Sequence, residues 1–268
     1  MKIKMLIAYD GTSYAGWQRQ GPKSLDPRPT IQATIEDVLS KIFNVPIVIQ
    51  TSGRTDAGVH AEGQVAHFKI PLNEDGKPVK DPLKMSFLKS VNAMTPDSIS
   101  ILKAWIAPND FHALRSAEIK TYRYMIHNSQ VRNPLTVRYS LWVRSPLDVS
   151  KLNALTEPLI GEHDFSSFRT RGTEVKSTVR KILHARWEQL TPEVIQFRIT
   201  GSGFLKQMVR NIVGTTLYLH QRGQGGDEMQ KILAGKDRKE AKSTANPEGL
   251  FLESVKYPPE LDNRCREL

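Results

Sequence analysis

The chain has 268 residues, with 38 Lys and Arg against 28 Asp and Glu, for a net charge of +10. That length suits one large or two medium domains, and the basic excess favours a polyanionic partner: RNA, DNA or anionic lipid. A lone cysteine, Cys265, excludes a disulfide framework and a multi-cysteine zinc site, and it predicts a reducing cytoplasm.

"KIKMLIAYD" reads as a strand with Ile3, Met5, Ile7 and Tyr9 on one face, and the start "MKIKMLIAYDGTSY" is too short in its apolar run, and too soon interrupted by Asp10, for a signal peptide. No stretch approaches the roughly 18 apolar residues of a membrane span, so lipid is the weakest of the three partners. "QRQGPKSLDPRPT" at 18–30 is a Pro- and Gly-rich loop. Thr30 then caps a helix whose apolar stripe is Ile31, Ile35, Val38, Leu39 and Ile42. Two strand-like runs follow, "IVIQTS" at 47–52 and "GQVAHFKI" at 63–70, the second alternating between its two faces. "LKMSFLKSVNAM" at 83–94 is a short helix closed by Thr95-Pro96, and "ISILKAWIAP" at 99–108 is a strand.

The second half repeats that order loosely. "TYRYMIHN" at 121–128 is a strand, and "DVSKLNALTEPLIG" at 148–161 is a helix that Pro158 must kink or end. "VRKILHARWEQL" and "EVIQFRITG" are strands joined at Thr191-Pro192-Glu193. "FLKQMVRNIVGTTLYLHQ" and "DEMQKILAG" are helices, and "LFLESVKY" at 250–257 closes as a strand. Alternating strands with one-sided helices argue for an α+β fold, two sheets with helices packed on them. Basic residues are dispersed from Arg115 to Arg210 rather than gathered in a tail, which suits a groove following a nucleic-acid backbone.

Between the two strand-like runs stands "SGRTDAGVHA" at 52–61, where Asp56 sits near Arg54 on a stretch bounded by Gly53 and Gly58. A carboxylate beside a guanidinium stays ionised, which serves a nucleophile or a base rather than a general acid. Arg210 lies at the rim of the apolar stripe of its helix, so it either snorkels to solvent or pairs with a buried acid. The spacing alone leaves a second reading open, in which Asp56 only orders the turn. His60 follows Asp56 by four residues, but there is no HExxH pattern, and "GQGGD" at 223–227 lacks the Gly-Lys-Ser/Thr ending of a phosphate loop. A metal is therefore not expected.

"GRTDAGVHA" resembles the catalytic signature of the tRNA pseudouridine synthase I family. The same resemblance extends through "YDGTSYAGWQRQ" at 9–20, "TIQ" at 30–32, "GQVAHF" at 63–68, "DFHA" at 110–113, "KTYRY" at 120–124, "GEHDFSSFR" at 161–169, "MVRNIVG" at 208–214 and "EGL" at 248–250. These stand in the family's order from end to end. The resemblance implies a pseudouridine synthase fold of two α+β halves, 1–112 and 113–268, each with a mainly antiparallel sheet, around a central basic cleft. It also implies a cofactor-free isomerase acting on uridines 38, 39 and 40 of the tRNA anticodon arm, working as a homodimer without metal or membrane. Asp56 would attack the uracil ring or the sugar C1′, Arg54 would hold the flipped-out nucleotide, and Arg210 would pair with Asp56 in the cleft. Tyr122 would stack on the target uracil and Leu250 would line the base pocket. His67, His112, Trp17 and Gln18 are read as supporting residues. The chain departs from the family's pattern in a longer loop at 21–29, in Leu114 where an Arg is common, and in Gln130 shortly after "YRY". Two other readings are an RNA-binding module that no longer catalyses and a small-phosphoester hydrolase using Asp56 and His60.

Overall fold

The computed structural model describes residues 1–21, 26–170, 172 and 175–268. The elements run β1 (Lys2–Tyr9), α1 (Ile31–Phe43), β2 (Gln50–Thr51), β3 (His60–Lys69), α2 (Phe87–Asn92), β4 (Ile99–Ala107), β5 (Ile119–Asn128), β6 (Leu141–Val143) and α3 (Val149–Thr156). They continue with β7 (Gly161–Asp164), β8 (Val179–Thr191), β9 (Val194–Gly201), α4 (Met208–Gln221), α5 (Gly226–Gly235), β10 (Leu250–Lys256), α6 (Pro259–Asp262) and β11 (Arg266–Glu267). The chain forms two compact units, one of Met1–Glu118 with Leu252–Leu268, the other of Ile119–Phe251. The last 17 residues thus return to the first unit, a long-range association that residue spacing does not encode.

In the first unit the strand order is β11-β4-β1-β3-β10, with β2 against β3. β1 is the centre, antiparallel to both β3 and β4. The alternation read from its sequence is the buried set: Ile3, Met5, Ile7 and Tyr9 are at most 4% exposed. Thr30 caps α1 by accepting from the Ala33 backbone N–H at 3.2 Å, and the apolar stripe of α1 is buried. Phe43 of α1, Phe68 of β3 and Phe87 of α2 meet at centroid distances of 5.8–6.4 Å.

β3 is covered on its other face too. Val65 packs in a separate cluster with Phe111, Ala113 and Tyr257, whose hydroxyl donates to the Ala113 carbonyl at 2.7 Å. Lys4 lies among the rings of Trp105, Phe111 and Tyr257 and pairs with Asp262. Arg264 grips Asp110 through both amino groups, at 2.9 and 3.1 Å. The run "IVIQTS" becomes a strand only at Gln50–Thr51. Side chains of α1 take up the earlier backbone N–H groups: Ile47 donates to Ser40 and Ile49 to Glu36, so those residues need no ladder.

In the second unit the order is β5-β9-β8-β7, all antiparallel, with β6 parallel to β5. Tyr124, Phe197 and Trp187 are in register across β5, β9 and β8, and Trp187 stacks on Phe197 at 4.6 Å. The Asn153 side chain of α3 both donates to the Trp187 carbonyl and accepts from the Trp187 backbone N–H, each at 2.9 Å. α3 ends at Thr156, and Pro158 sits in a 3-10 turn, Glu157–Leu159, that keeps Leu159 buried. The short strands β6, β7 and β11 and the short helix α6 carry no apolar period, and sequence patterning does not reveal them. Both units pair mainly antiparallel strands with packed helices, the α+β architecture expected.

Candidate functional site

Asp56 stands in the first unit, on the link from β2 to β3. The turn closes on itself through the Val59 N–H, which donates to the Asp56 carbonyl at 3.2 Å, and Gly58 takes φ +76°. Of the two flanking glycines, only Gly58 adopts the left-handed region, where an L side chain is strained. The strands behind supply the mount. Tyr9 of β1 meets the Thr55 hydroxyl at 2.8 Å, and Gln64 of β3 donates to the Gly53 carbonyl at 2.9 Å. Ser52 donates to Gln64 at 2.7 Å. Burial pushes the Tyr9 hydroxyl up to about 12, so it stays protonated.

A second loop, from the segment 9–20, closes against this turn. Trp17 is 1% exposed, and its backbone N–H donates to the Thr55 carbonyl at 3.1 Å. Gly16 has φ +92°, and a Cβ there would sit 2.8 Å from the Thr55 carbonyl oxygen. At Gly11 a Cβ would come within 2.0 Å of the Val59 carbonyl oxygen. The two backbones approach as closely as glycine permits. The motif "YDGTSYAGWQRQ" is thus the clamp on the Asp56 turn, a role that sequence reasoning left as general support. Arg54 is exposed, while Thr55 beside it is buried.

Tyr122, Arg210 and Leu250 all belong to the second unit, and the loop that leads to Leu250 braces Arg210. Arg210 of α4 donates through Nε to the Ala245 carbonyl at 2.7 Å, and the Ala245 N–H returns a bond to the Arg210 carbonyl at 3.0 Å. The next residue, Asn246, accepts from the Tyr124 hydroxyl at 2.7 Å. Gly249 lies where a Cβ would be 2.7 Å from the Tyr124 ring, and Leu250, 6% exposed, follows it. The segment 245–250 therefore fixes α4 and β5 relative to the start of β10. Tyr122 shares its face of β5 with Tyr124; it is 8% exposed and meets Phe204 edge-on at 5.0 Å. Tyr124 is fully buried and hydrogen-bonded. Phe204, expected as the start of the helix, lies in the loop before α4, which begins only at Met208.

His60 and His67 are built into the scaffold. His60 is 1% exposed; its Nδ1 accepts from the Gly11 N–H at 3.1 Å and lies 3.2 Å from Asp10. His67 accepts from the Ala113 N–H at 3.2 Å, with the His112 ring 4.9 Å away. Burial, then the nearby His112 and Lys2, pulls His67 down to about 4. Among the described residues no three of His, Cys, Asp and Glu gather as a metal site would need. Leu114 and Arg115 are both exposed, and residues 22–25 of the longer loop lie outside the described residues.

A family profile described as tRNA pseudouridine synthase matches residues 155–258, a span that includes Arg210 and Leu250 but not Asp56. Full-length relatives cover both. A Bdellovibrio bacteriovorus protein named tRNA pseudouridine synthase A is 48% identical over 267 residues, covering 100% of this chain and 99% of its own. Proteins of the same name from Syntrophotalea carbinolica and Lactococcus lactis subsp. cremoris are each 39% identical over 259 residues. They cover 96% of this chain, and 97% and 98% of their own lengths. Solved structures match more remotely: the "Cbf5-Nop10-Gar1 Complex" aligns at TM-score 0.36 and 12% identity over 82% of this chain and 54% of that one. The chain spans about half the length of that solved protein, so the assignment rests on the sequence relatives. With identity of 48% sustained from end to end, this chain belongs to the tRNA pseudouridine synthase family, a family of isomerases.

Proposed function

We propose that the protein isomerises uridine to pseudouridine at positions 38, 39 and 40 of the tRNA anticodon arm. The observation that carries this reading is the end-to-end similarity to proteins named tRNA pseudouridine synthase A. The geometry of the Asp56 turn supports it: two strands and a glycine-lined loop hold one short carboxylate on a clamped turn. The reaction breaks the N1–C1′ bond and forms C5–C1′, and the proton leaving C5 is balanced by one gained at N1. Composition is conserved, so neither oxidant nor group donor is needed, and the enzyme works without a cofactor.

A base stacked in a stem is out of reach, so the target nucleotide must be extruded and read by stacking and edge contacts. In this reading Asp56 is the nucleophile, attacking the uracil ring or C1′. Arg54, exposed on the same turn, holds the nucleotide, and Arg210 is the second cation of the reaction. Tyr122 stacks on the uracil, and Leu250 lines the base pocket. The working form is a homodimer in the cytoplasm. No helix among the described residues is long and apolar enough to cross a membrane.

The test is Asp56→Ala. Pseudouridine formation in tRNA is expected to be abolished while tRNA affinity stays within a few-fold of wild type; retained turnover would overturn the nucleophile assignment. Mapping pseudouridines in tRNA from a strain lacking this protein checks the target positions.

A further inference from the structure

Beside Tyr122 the second unit brings two cations together. Lys120 lies two residues before Tyr122 on β5 and so shares its face. Opposite Lys120 in register is Gly201 of β9, and opposite Gly201 is Ile182 of β8. A Cβ at Gly201 would meet the Lys181 carbonyl at 2.8 Å and the Ile182 side chain at 2.9 Å. The strand end is therefore slim where the two cationic strands converge. Arg180, two residues before Ile182, shares its face, and its Nε lies 3.7 Å from where a Cβ on Gly203 would be.

The loop 201–204 touches both halves of this arrangement, for Gly203 lies under Arg180 and the next residue, Phe204, meets Tyr122 edge-on. Arg180 is positioned by backbone carbonyls, its Nη1 donating to Ser177 at 2.9 Å and Val179 at 2.6 Å. Among the described residues no carboxylate lies within ion-pair distance of it.

We propose that Lys120 and Arg180 form a phosphate site that holds the RNA backbone next to the nucleoside stacked on Tyr122. Two cations forced together and half withdrawn from water raise each other's free energy, and an anion bridging them relieves both. The strain is visible in Lys120: burial, then the charge of Arg180, pulls its ammonium down to about 8. Phosphate is the anion that fits, because every base seated on an aromatic ring arrives with a phosphate on either side of its sugar. This site deepens the reading of the protein as a tRNA-modifying isomerase and rests on it for the nature of the ligand. The two side chains are positioning groups that touch the substrate's backbone and not the reacting atoms.

The experiment measures tRNA binding across a salt series, and steady-state turnover, for wild type, Lys120→Met, Arg180→Gln and Lys120→Arg. Lys120→Met and Arg180→Gln should each weaken binding roughly tenfold at low salt. Each should also lower the slope of log affinity against log salt by about 1. The loss should appear in KM with kcat little changed, and Lys120→Arg should restore both affinity and slope. A structural role would lower activity without moving the slope, so an unchanged slope in both neutral variants, folded by thermal melting, sinks the phosphate site. Arg180→Gln, at a strand end, keeps the test decisive if Lys120→Met does not fold. A wild type that forms no pseudouridine overturns the function proposed above. An active wild type whose neutral variants keep its slope overturns this site alone.

Discussion

Gly16 shows at a single position how the sequence serves the site. Its φ of +92° excludes an ordinary side chain, and the Thr55 carbonyl leaves no space for a Cβ. Gly16→Ala therefore strains its own loop and pushes on the backbone that carries Asp56. Displacing a reacting group by about 1 Å can cost about 100-fold in rate. Gly16→Ala is expected to lower kcat by about that factor with KM for tRNA little altered, read from steady-state kinetics. A change confined to KM would refute the clamp. Asp56 itself was legible from its motif, but the reason its turn holds was not. The buried Tyr9–Thr55 and Gln64–Gly53 bonds join residues distant in sequence, and no local pattern marks them as partners. Arg54 and Asp56 are neighbours in the motif, but the strands that hold their turn come from elsewhere in the chain.

Among the elements, β3 differs most from its sequence reading. Its alternation predicted two contrasting faces, yet both are buried: one under α1 and α2, the other under the segment around Phe111 and Tyr257. His67 is the polar residue trapped by that second cover. Its proton affinity falls from the ordinary 6.5 to about 4, chiefly through burial. Above pH 6.5 the ring is neutral in both folded and unfolded chains, and its contribution to stability is complete. Between pH 6.5 and 4 the unfolded chain takes up a proton that the folded one resists, so stability falls, by up to about 3 kcal/mol at the lower limit. Below pH 4 the ring causes no further loss. Chemical denaturation at pH 7 and pH 4.5 should show this decline, and His67→Asn, which keeps an acceptor near the Ala113 N–H, should flatten it. His112, lowered in the same direction, leaves a residual slope. An unchanged pH dependence in His67→Asn would assign the decline elsewhere.

For the molecule as a whole, the net charge of +10 sets the physics of association. A protein that neutralises several phosphates releases the counterions condensed on the RNA, so affinity falls linearly with salt on logarithmic axes. Binding to tRNA should weaken at least about tenfold between 50 and 200 mM salt. A flat response would refute a backbone-following surface. The sequence by itself determined the family and the helices and long strands with their buried faces, and it marked Asp56 as the candidate, because periodicity and contiguous motifs are local properties of the chain. Only the tertiary structure decided what is non-local. It returned the C-terminal segment Leu252–Leu268 to the first unit, closed the 9–20 loop on the Asp56 turn, and made 245–250 the brace of Arg210 and Tyr124. It also set Lys120 beside Arg180 across strands about sixty residues apart. Such contacts form when folding brings sheet faces and backbones together, and the residues on either side of them carry no signature of their partners.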